Sequence, residues 1–186
     1  MKKYNIRTLV YMAIFIALSI VATRIFSIDT PFLRIGIGFM PVIMAAMYLG
    51  PFKAGWIGVI ADIIGFMLFP KGTFFPGFTI SAFLGGFING FFLEGERGGK
   101  MVNIILNAVI STLLIDTIIN TGNLVILMHG GQFDKFIPLL ITRFPNHVAL
   151  MVEKVIFTFV FYHAIFKRVR LKGVEKRPPK TGRYIQ

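Results

Sequence analysis

The chain contains no cysteine and little charge for its length. Its 186 residues include no Cys, one Trp and 8 acidic residues, and charged residues make up 15%, against about 25% in a soluble domain. The lack of Cys excludes disulfide bonds and thiolate metal sites. Scarce charge with 55% hydrophobic residues excludes a disordered chain, a fibrous repeat and most water-soluble folds. We expect an integral membrane protein.

The motifs of common hydrolases are also absent. The sequence has no HExxH, no GxSxG and no GxxxxGK[ST], which would hold zinc, position a nucleophilic serine or cradle a nucleotide phosphate. We therefore expect no catalytic residue, no metal and no cofactor. Any active transport then needs a partner or an ion gradient.

Six apolar stretches follow one another along the chain, separated by breaks rich in Gly, Pro or charge. They cover residues 6–25, 35–49, 52–69, 78–93, 101–128 and 145–166. Because a membrane-spanning helix needs about 20 apolar residues, they predict an all-α integral membrane protein built as a compact bundle of six transmembrane helices. Residues 1–166 form one transmembrane domain in this interpretation, and residues 167–186 form a basic tail.

Lys and Arg are unevenly divided between the two ends of these predicted helices. With the N-terminus inside, 14 lie on the cytoplasmic side, eight of them in the tail, and 5 lie outside. The positive-inside rule thus places both termini in the cytoplasm. In a soluble domain, a net charge of +12 could indicate nucleic-acid binding. Here the basic residues lie between and after the apolar stretches, so we expect no nucleic-acid partner. The tail is expected to meet anionic lipid headgroups, with a specific binding arm as the alternative.

Ionisable side chains inside the predicted spans indicate a site, because each costs several kcal/mol in lipid unless it is paired or faces a wet cavity. Asp62 in the third span is either a ligand contact open to the outside or part of a buried ion pair or hydrogen bond. The sixth span carries Asn146, His147, Glu153 and Lys154. The last two point about 100° apart, so we expect no direct pair between them.

The fifth span carries a stripe of polar residues, mostly three or four positions apart, which share one helix face. The stripe consists of Asn103, Asn107, Ser111, Asp116, Asn120 and Asn123. Amides lose hydrogen bonds in hydrocarbon, so this face is expected to point into the bundle. We interpret its inner half as helix-to-helix hydrogen bonding and its outer part, from Asp116 onward, as able to line a site with Asp62.

The outer loops combine cations with aromatic rings. Arg24 and Arg34 flank the first loop, and the second carries Lys71, Phe74 and Phe75 between two prolines. This composition suits either an anionic ligand with a flat ring or an interfacial aromatic belt. On the first helix, Ala13-x-x-x-Ala17 makes a flat stripe that another helix can approach closely. Gly86-x-x-x-Gly90 on the fourth span is equally unspecific.

Together these features resemble the substrate-capture (S) components of energy-coupling factor (ECF) vitamin transporters. The resemblance extends over nearly the whole chain through its length, six spans and alanine stripe. Residues 32–93 resemble the folate-specific branch through the runs FLRIGIGFMP, YLGP, ADIIG, LFPKG and FFPGFTISA. It implies a bacterial cell-membrane receptor that captures folate outside. Such a receptor docks through helix one, at Ala13 and Ala17, on a transmembrane coupling (T) subunit carrying two ATPases, and tips over to release the vitamin inward.

Folate also suits the polar and aromatic residues described above. Its pterin ring could meet Phe74, Phe75 and a carboxylate or amide, and its glutamate carboxylates could meet basic side chains. The expected substrate-binding residues are Arg24, Arg34, Asp62, Lys71, Phe74, Phe75, Asn120, Arg143 and Asn146. Three alternatives stay open: an S component for thiamin or riboflavin, a small lipid-modifying membrane enzyme using Asp62, Asp116 or His147, and a purely structural membrane subunit.

Overall fold

The computed structural model describes residues 6–25, 27–29, 34–70, 73–169 and 171, with the backbone alone at 27–29 and 34–35. Within these ranges, five helices are long and apolar enough to cross a membrane: Ile6–Arg24, Pro51–Leu68, Pro76–Leu93, Met101–His129 and Phe133–Phe166. A shorter apolar helix covers Ile37–Leu49. The prediction of a helical, membrane-type protein is therefore confirmed.

The helices are numbered here in chain order. They are α1 (Ile6–Arg24), α2 (Met40–Leu49), α3 (Pro51–Leu68), α4 (Pro76–Leu93), α5 (Met101–Ile110), α6 (Asn120–His129) and α7 (Phe136–Phe161). A π-helical stretch, Ser111–Ile119, joins α5 to α6, and a second, Tyr162–Phe166, extends α7. Short 3₁₀ turns occupy Ile37–Phe39, Gly95–Gly99 and Phe133–Lys135.

Two features of this arrangement differ from the prediction. Strands β1 (Ser27–Asp29) and β2 (Arg34–Gly36) pair antiparallel, where the sequence predicted a connection and, from residue 35, the start of the second span; α2 begins only at Met40. The last helix begins at Phe136, not at Pro145, because the apolar run before Pro145 is itself helical. A proline inside a membrane helix is tolerated where neighbouring groups satisfy the carbonyl that loses its donor.

The connections fix two ends of the bundle. At one, called the loop end, α1, α3 and α6 finish while α4 and α7 start. A side chain at Gly65, in the last turn of α3, would contact the Arg24 guanidinium at the end of α1. At the other, called the tail end, α2 and α4 finish while α3 and α5 start. There Gly90 of α4 lies directly against the backbone of Pro51.

The closest helix packing in the bundle joins α3 to α4 through small residues on both helices. A Cβ on Gly58 would lie 2.6 Å from the carbonyl oxygen of Ala82, and a Cβ on Gly86 would run into the backbone of Ala54. Because lipid supplies no hydrophobic driving force between helices, such close backbone approach is a main source of their association. The Gly86-x-x-x-Gly90 spacing, unspecific in the sequence, is thus a real packing surface.

The apolar core of the bundle lies toward the tail end. Its buried side chains come from α2, α4, α5 and the end of α7, and include Met47, Leu93, Ile104 and Phe161. A second cluster seats α1 on α2 and α3 through Phe15, Leu49 and Ile57. Nearer the loop end, the buried side chains include the polar residues Thr117, Asn123 and His147.

The α3–α4 contact predicts different effects for two neighbouring glycines. Gly86→Ala forces the helices apart, and we expect a loss of about 1–3 kcal/mol of stability. Gly85→Ala is the matched control, since a Cβ there meets nothing within 4 Å and alanine favours the helix. Thermal unfolding in detergent measures both. Equal midpoints for the two variants would contradict this packing.

Candidate functional site

Asp62 lies on α3 near the loop end, half-buried and facing α4. Its Oδ2 accepts a hydrogen bond of 2.8 Å from the hydroxyl of Thr79. Thr79 is in the first turn of α4, so the carboxylate lies beside the point where the loop between α3 and α4 enters the bundle. The carboxylate can accept hydrogen bonds from a polar ligand there.

The fifth span is tied to the start of α4 by a short chain of hydrogen bonds. Asn123 donates from Nδ2 to Ser81 Oγ over 3.1 Å, and Ser81 donates to the carbonyl of Gly77 over 2.9 Å. Any Cβ at Gly77 would collide with the Asn123 amide and the Phe75 ring. Asn123 therefore fixes the start of α4, and this structural role explains why the polar stripe of the fifth span includes an asparagine at this position.

The two aromatic residues predicted to contact a ligand, Phe74 and Phe75, directly precede the start of α4. The Phe74 ring packs on Phe66 with centroids 5.2 Å apart, and the Phe75 ring meets Phe78 at 6.0 Å. Phe74 remains 42% exposed, so its ring surface is accessible at the loop end. Arg24 also reaches this region, where its Nη1 donates to the carbonyl of Phe69 over 3.4 Å.

Buried polar atoms without hydrogen-bond partners collect between α6 and α7. They are Asn120 Oδ1, Arg143 Nε, both amide atoms of Asn146, and His147 Nε2, none of which bonds to any described residue. Arg143 and His147 are otherwise held by threonines, through Nη1 to Thr121 at 3.2 Å and Nδ1 to Thr117 at 3.1 Å. An unsatisfied buried polar atom costs about 1–3 kcal/mol. This concentration of donors and acceptors is therefore suited to a polar ligand.

Asp116 does not join Asp62 as the polar stripe suggested it could. Its Oδ2 lies 2.5 Å from Lys154 Nζ, which also approaches Ser111 Oγ at 3.4 Å and Thr112 Oγ1 at 3.3 Å. The three N–H donors of the ammonium group thus have three acceptors. Lys154 is 9% exposed, and it pairs across the helices rather than with Glu153, as expected. The Asp116–Lys154 pair therefore joins α7 to the fifth span and has a structural role.

Two predicted site residues fall outside what the structure describes. Lys71 is outside the described ranges, and for Arg34 only the backbone is described, paired with Asp29 in the hairpin. The hydroxyl partners Thr79, Thr117 and Thr121 were not predicted. Nothing in their sequence pattern marks them, since Ser and Thr inside a helix bond their own backbone equally well.

Residues 7–171 match the family model described as "ECF transporter, substrate-specific component". This chain belongs to that family. A folate transporter FolT of Clostridium novyi (strain NT) is 42% identical over 154 residues, which is 81% of this chain and 88% of that protein. A folate transporter FolT of Leuconostoc mesenteroides is 24% identical over 162 residues, 86% of this chain and 80% of that one. The crystal structure of FolT bound with folic acid matches with a TM-score of 0.76 and 34% identity, over 90% of this chain and 97% of that one.

Membership in the ECF substrate-specific family confirms the resemblance to S components drawn from the sequence. The chain is a transport component, and the alternative of a lipid-modifying enzyme is not supported. A substrate-specific transport component needs no general acid or base, so the family gives no reason to assign that role to the carboxylate and amides at the loop end.

The Asp116–Lys154 pair predicts a large cost for breaking it on one side only. Lys154→Met leaves a carboxylate unpaired inside the bundle, and we expect a loss of about 3–5 kcal/mol. The double variant Asp116→Asn/Lys154→Met removes both charges and should recover a good part of that loss. Thermal unfolding of the three proteins in detergent checks this, and a double variant no more stable than Lys154→Met would argue against the pair as the cause.

Proposed function

We propose that this chain is the folate-binding S component of an ECF-type transporter in a bacterial cell membrane. The observation that carries the proposal is its likeness to FolT bound with folic acid, at 34% identity over 90% of the chain. In this proposal the chain captures folate at the loop end, on the outer face of the membrane. It then delivers the vitamin inward after docking on a T subunit that two ATPases power.

The donors and acceptors at the loop end fit the chemistry of folate. A pterin presents neighbouring N–H donors and ring acceptors along one edge, which a carboxylate such as Asp62 or a primary amide such as Asn146 can pair with. Both amide atoms of Asn146 are buried and unpaired among the described residues. The accessible face of Phe74 suits stacking of the ring.

The glutamate end of folate carries two carboxylates and needs cations. Arg143 is half-buried, with one nitrogen bonded to Thr121 and its Nε without a partner in the described chain. Arg24, at the end of α1, supplies a second guanidinium at the same end of the bundle. The proposed substrate-binding set remains Arg24, Arg34, Asp62, Lys71, Phe74, Phe75, Asn120, Arg143 and Asn146.

The proposed orientation has six crossings, with both termini in the cytoplasm. Five long helices and the short apolar helix Ile37–Leu49 support the count, although α2, at 10 residues, rises only about 15 Å. The excess of Lys and Arg at the tail end and in residues 167–186 supports the direction. Residues 1–166 then form the substrate-binding domain and the rest a cytoplasmic tail.

The proposed docking face for the T subunit lies on α1. Ala13 and Ala17 are both exposed, beside the exposed side chains of Ile14 and Leu18, at 49% and 45%. Phe15, on the opposite side, is buried in the bundle. A smooth small-residue surface lets a second helix approach and leave without disentangling long side chains.

Folate binding gives the direct test of the substrate. Isothermal titration of the purified protein in detergent should give saturable binding, and Asp62→Ala should weaken it about 10- to 100-fold, the value of a hydrogen bond to a charged group. Glu96→Ala, which removes an exposed carboxylate at the tail end, is the matched control and should bind normally. Absence of saturable folate binding would refute the proposal, and direct titrations with thiamin and riboflavin would then test the other vitamins.

The docking face gives a second test that separates capture from transport. Ala13→Trp and Ala17→Trp should abolish folate uptake in vesicles containing the T subunit and ATPases, because the indole blocks close helix approach, while folate binding stays intact. Ile118→Trp places the same ring at a side chain 53% exposed on the fifth span and should leave uptake unchanged. Normal uptake by both alanine variants would place the docking face elsewhere.

A further inference from the structure

A cleft at the tail end lies outside the proposed substrate site, between the end of α4 and the start of α5. Its volume is about 300 Å³, and it is lined by Phe91, Phe92, Arg97, Lys100 and Asn103. Since a water molecule takes about 30 Å³ in the liquid, the space equals roughly ten waters. That is enough for a phosphate group with the glycerol unit attached to it.

The lining residues place this cleft at the boundary between the lipid-facing surface and the charged loop. On one side is the exposed apolar side chain of Phe91, at 57%. On the other are the exposed cations Arg97 and Lys100, in and after the 3₁₀ turn that joins the two spans. Both helices span the bilayer, so this boundary coincides with the depth of phospholipid headgroups.

Arg97 is held at the cleft by hydrogen bonds, and acidic neighbours do not draw the two cations away. Arg97 Nη1 donates to the carbonyl of Phe91 over 3.4 Å, and Asn103 Nδ2 donates to the carbonyl of Arg97 over 3.0 Å. Within the part of the chain that the structure describes, neither Arg97 nor Lys100 forms an ion pair. The carboxylate of Glu94 lies against Gly50 instead.

We propose that this cleft binds the phosphate of an anionic phospholipid. Arg97 and Lys100 supply the charge, and the N-terminus of α5, which starts at Met101, adds its positive dipole end. The phenyl rings of Phe91 and Phe92 lie beside the glycerol and upper acyl chains. Basic pockets between membrane helices at headgroup depth recognise anionic lipids in this way, whereas a soluble anion gains nothing from the apolar wall.

The test compares two pairs of cations at the same end of the bundle. Native mass spectrometry of the full-length protein, titrated with phosphatidylglycerol or phosphatidylcholine, counts retained lipids and yields their affinity. We expect one tightly retained phosphatidylglycerol. Arg97→Gln/Lys100→Gln should weaken it about 30-fold, at about fivefold for each cation. Lys167→Gln/Arg168→Gln is the matched control, since it removes two exposed charges outside the cleft, and it should retain the lipid.

Each outcome bears on the proposal. Loss confined to the Arg97/Lys100 variant, with rescue by Arg97→Lys/Lys100→Arg, supports it. Equal loss in both glutamine variants would show general attraction to a basic surface and overturn it. Displacement of the lipid by millimolar inorganic phosphate, without preference for phosphatidylglycerol, would assign the cleft to a soluble anion. Folate titrations of the same variants should be unchanged, which keeps this test independent of the proposed function.

Discussion

A polar side chain within the hydrocarbon layer must find its partner inside the protein, and this requirement organises α5, α6 and α7. In the middle of the bundle it is met, because Lys154 has Asp116 and two hydroxyls as acceptors. Nearer the loop end it is not met by the described residues, since Asn146 and His147 keep buried atoms without partners. The polar residues of these helices therefore form two groups. Those in the middle of the bundle bond to one another and have a structural role, whereas those nearer the loop end have donors and acceptors that are free among the described residues and suited to a substrate.

The π-helical stretch explains how the structural half is assembled. Ser111 and Asp116 are five positions apart, which in an α-helix would turn them about 140° from each other. Both lie in the stretch Ser111–Ile119, where the hydrogen bonds run from i to i+5. Residues five apart then share a face, and both side chains reach Lys154. The wider π-helical turns therefore keep Ser111 and Asp116 on one face of the span, whereas α-helical spacing would place them on different faces.

Much of the fold could be predicted from hydropathy, because lipid requires long apolar helices. The position of Asp62 near the C-terminal end of the third span could also be predicted, since a helix has a fixed rise per residue. The partners could not. Thr79 and Thr121 are bonded through contacts between helices, and Ser and Thr carry no positional signal inside a helix. The start of α7 at Phe136 was missed because Pro145 looked like a helix start, although it lies within a continuous apolar helix.

Helix α1 connects the two regions on which transport would depend. Its outward face carries the proposed docking residues, and its inward face is fixed to α2 and α3 through Phe15. At its last residue, Arg24 crosses to the end of α3, where Gly65 leaves room for the guanidinium. The helix on which a partner is proposed to dock therefore ends at Arg24, a cation proposed to bind the substrate. Since α1 packs on α3 through Phe15 and Ile57, and α3 lies in backbone contact with α4, the helix proposed for docking is joined directly to the most closely packed pair in the bundle.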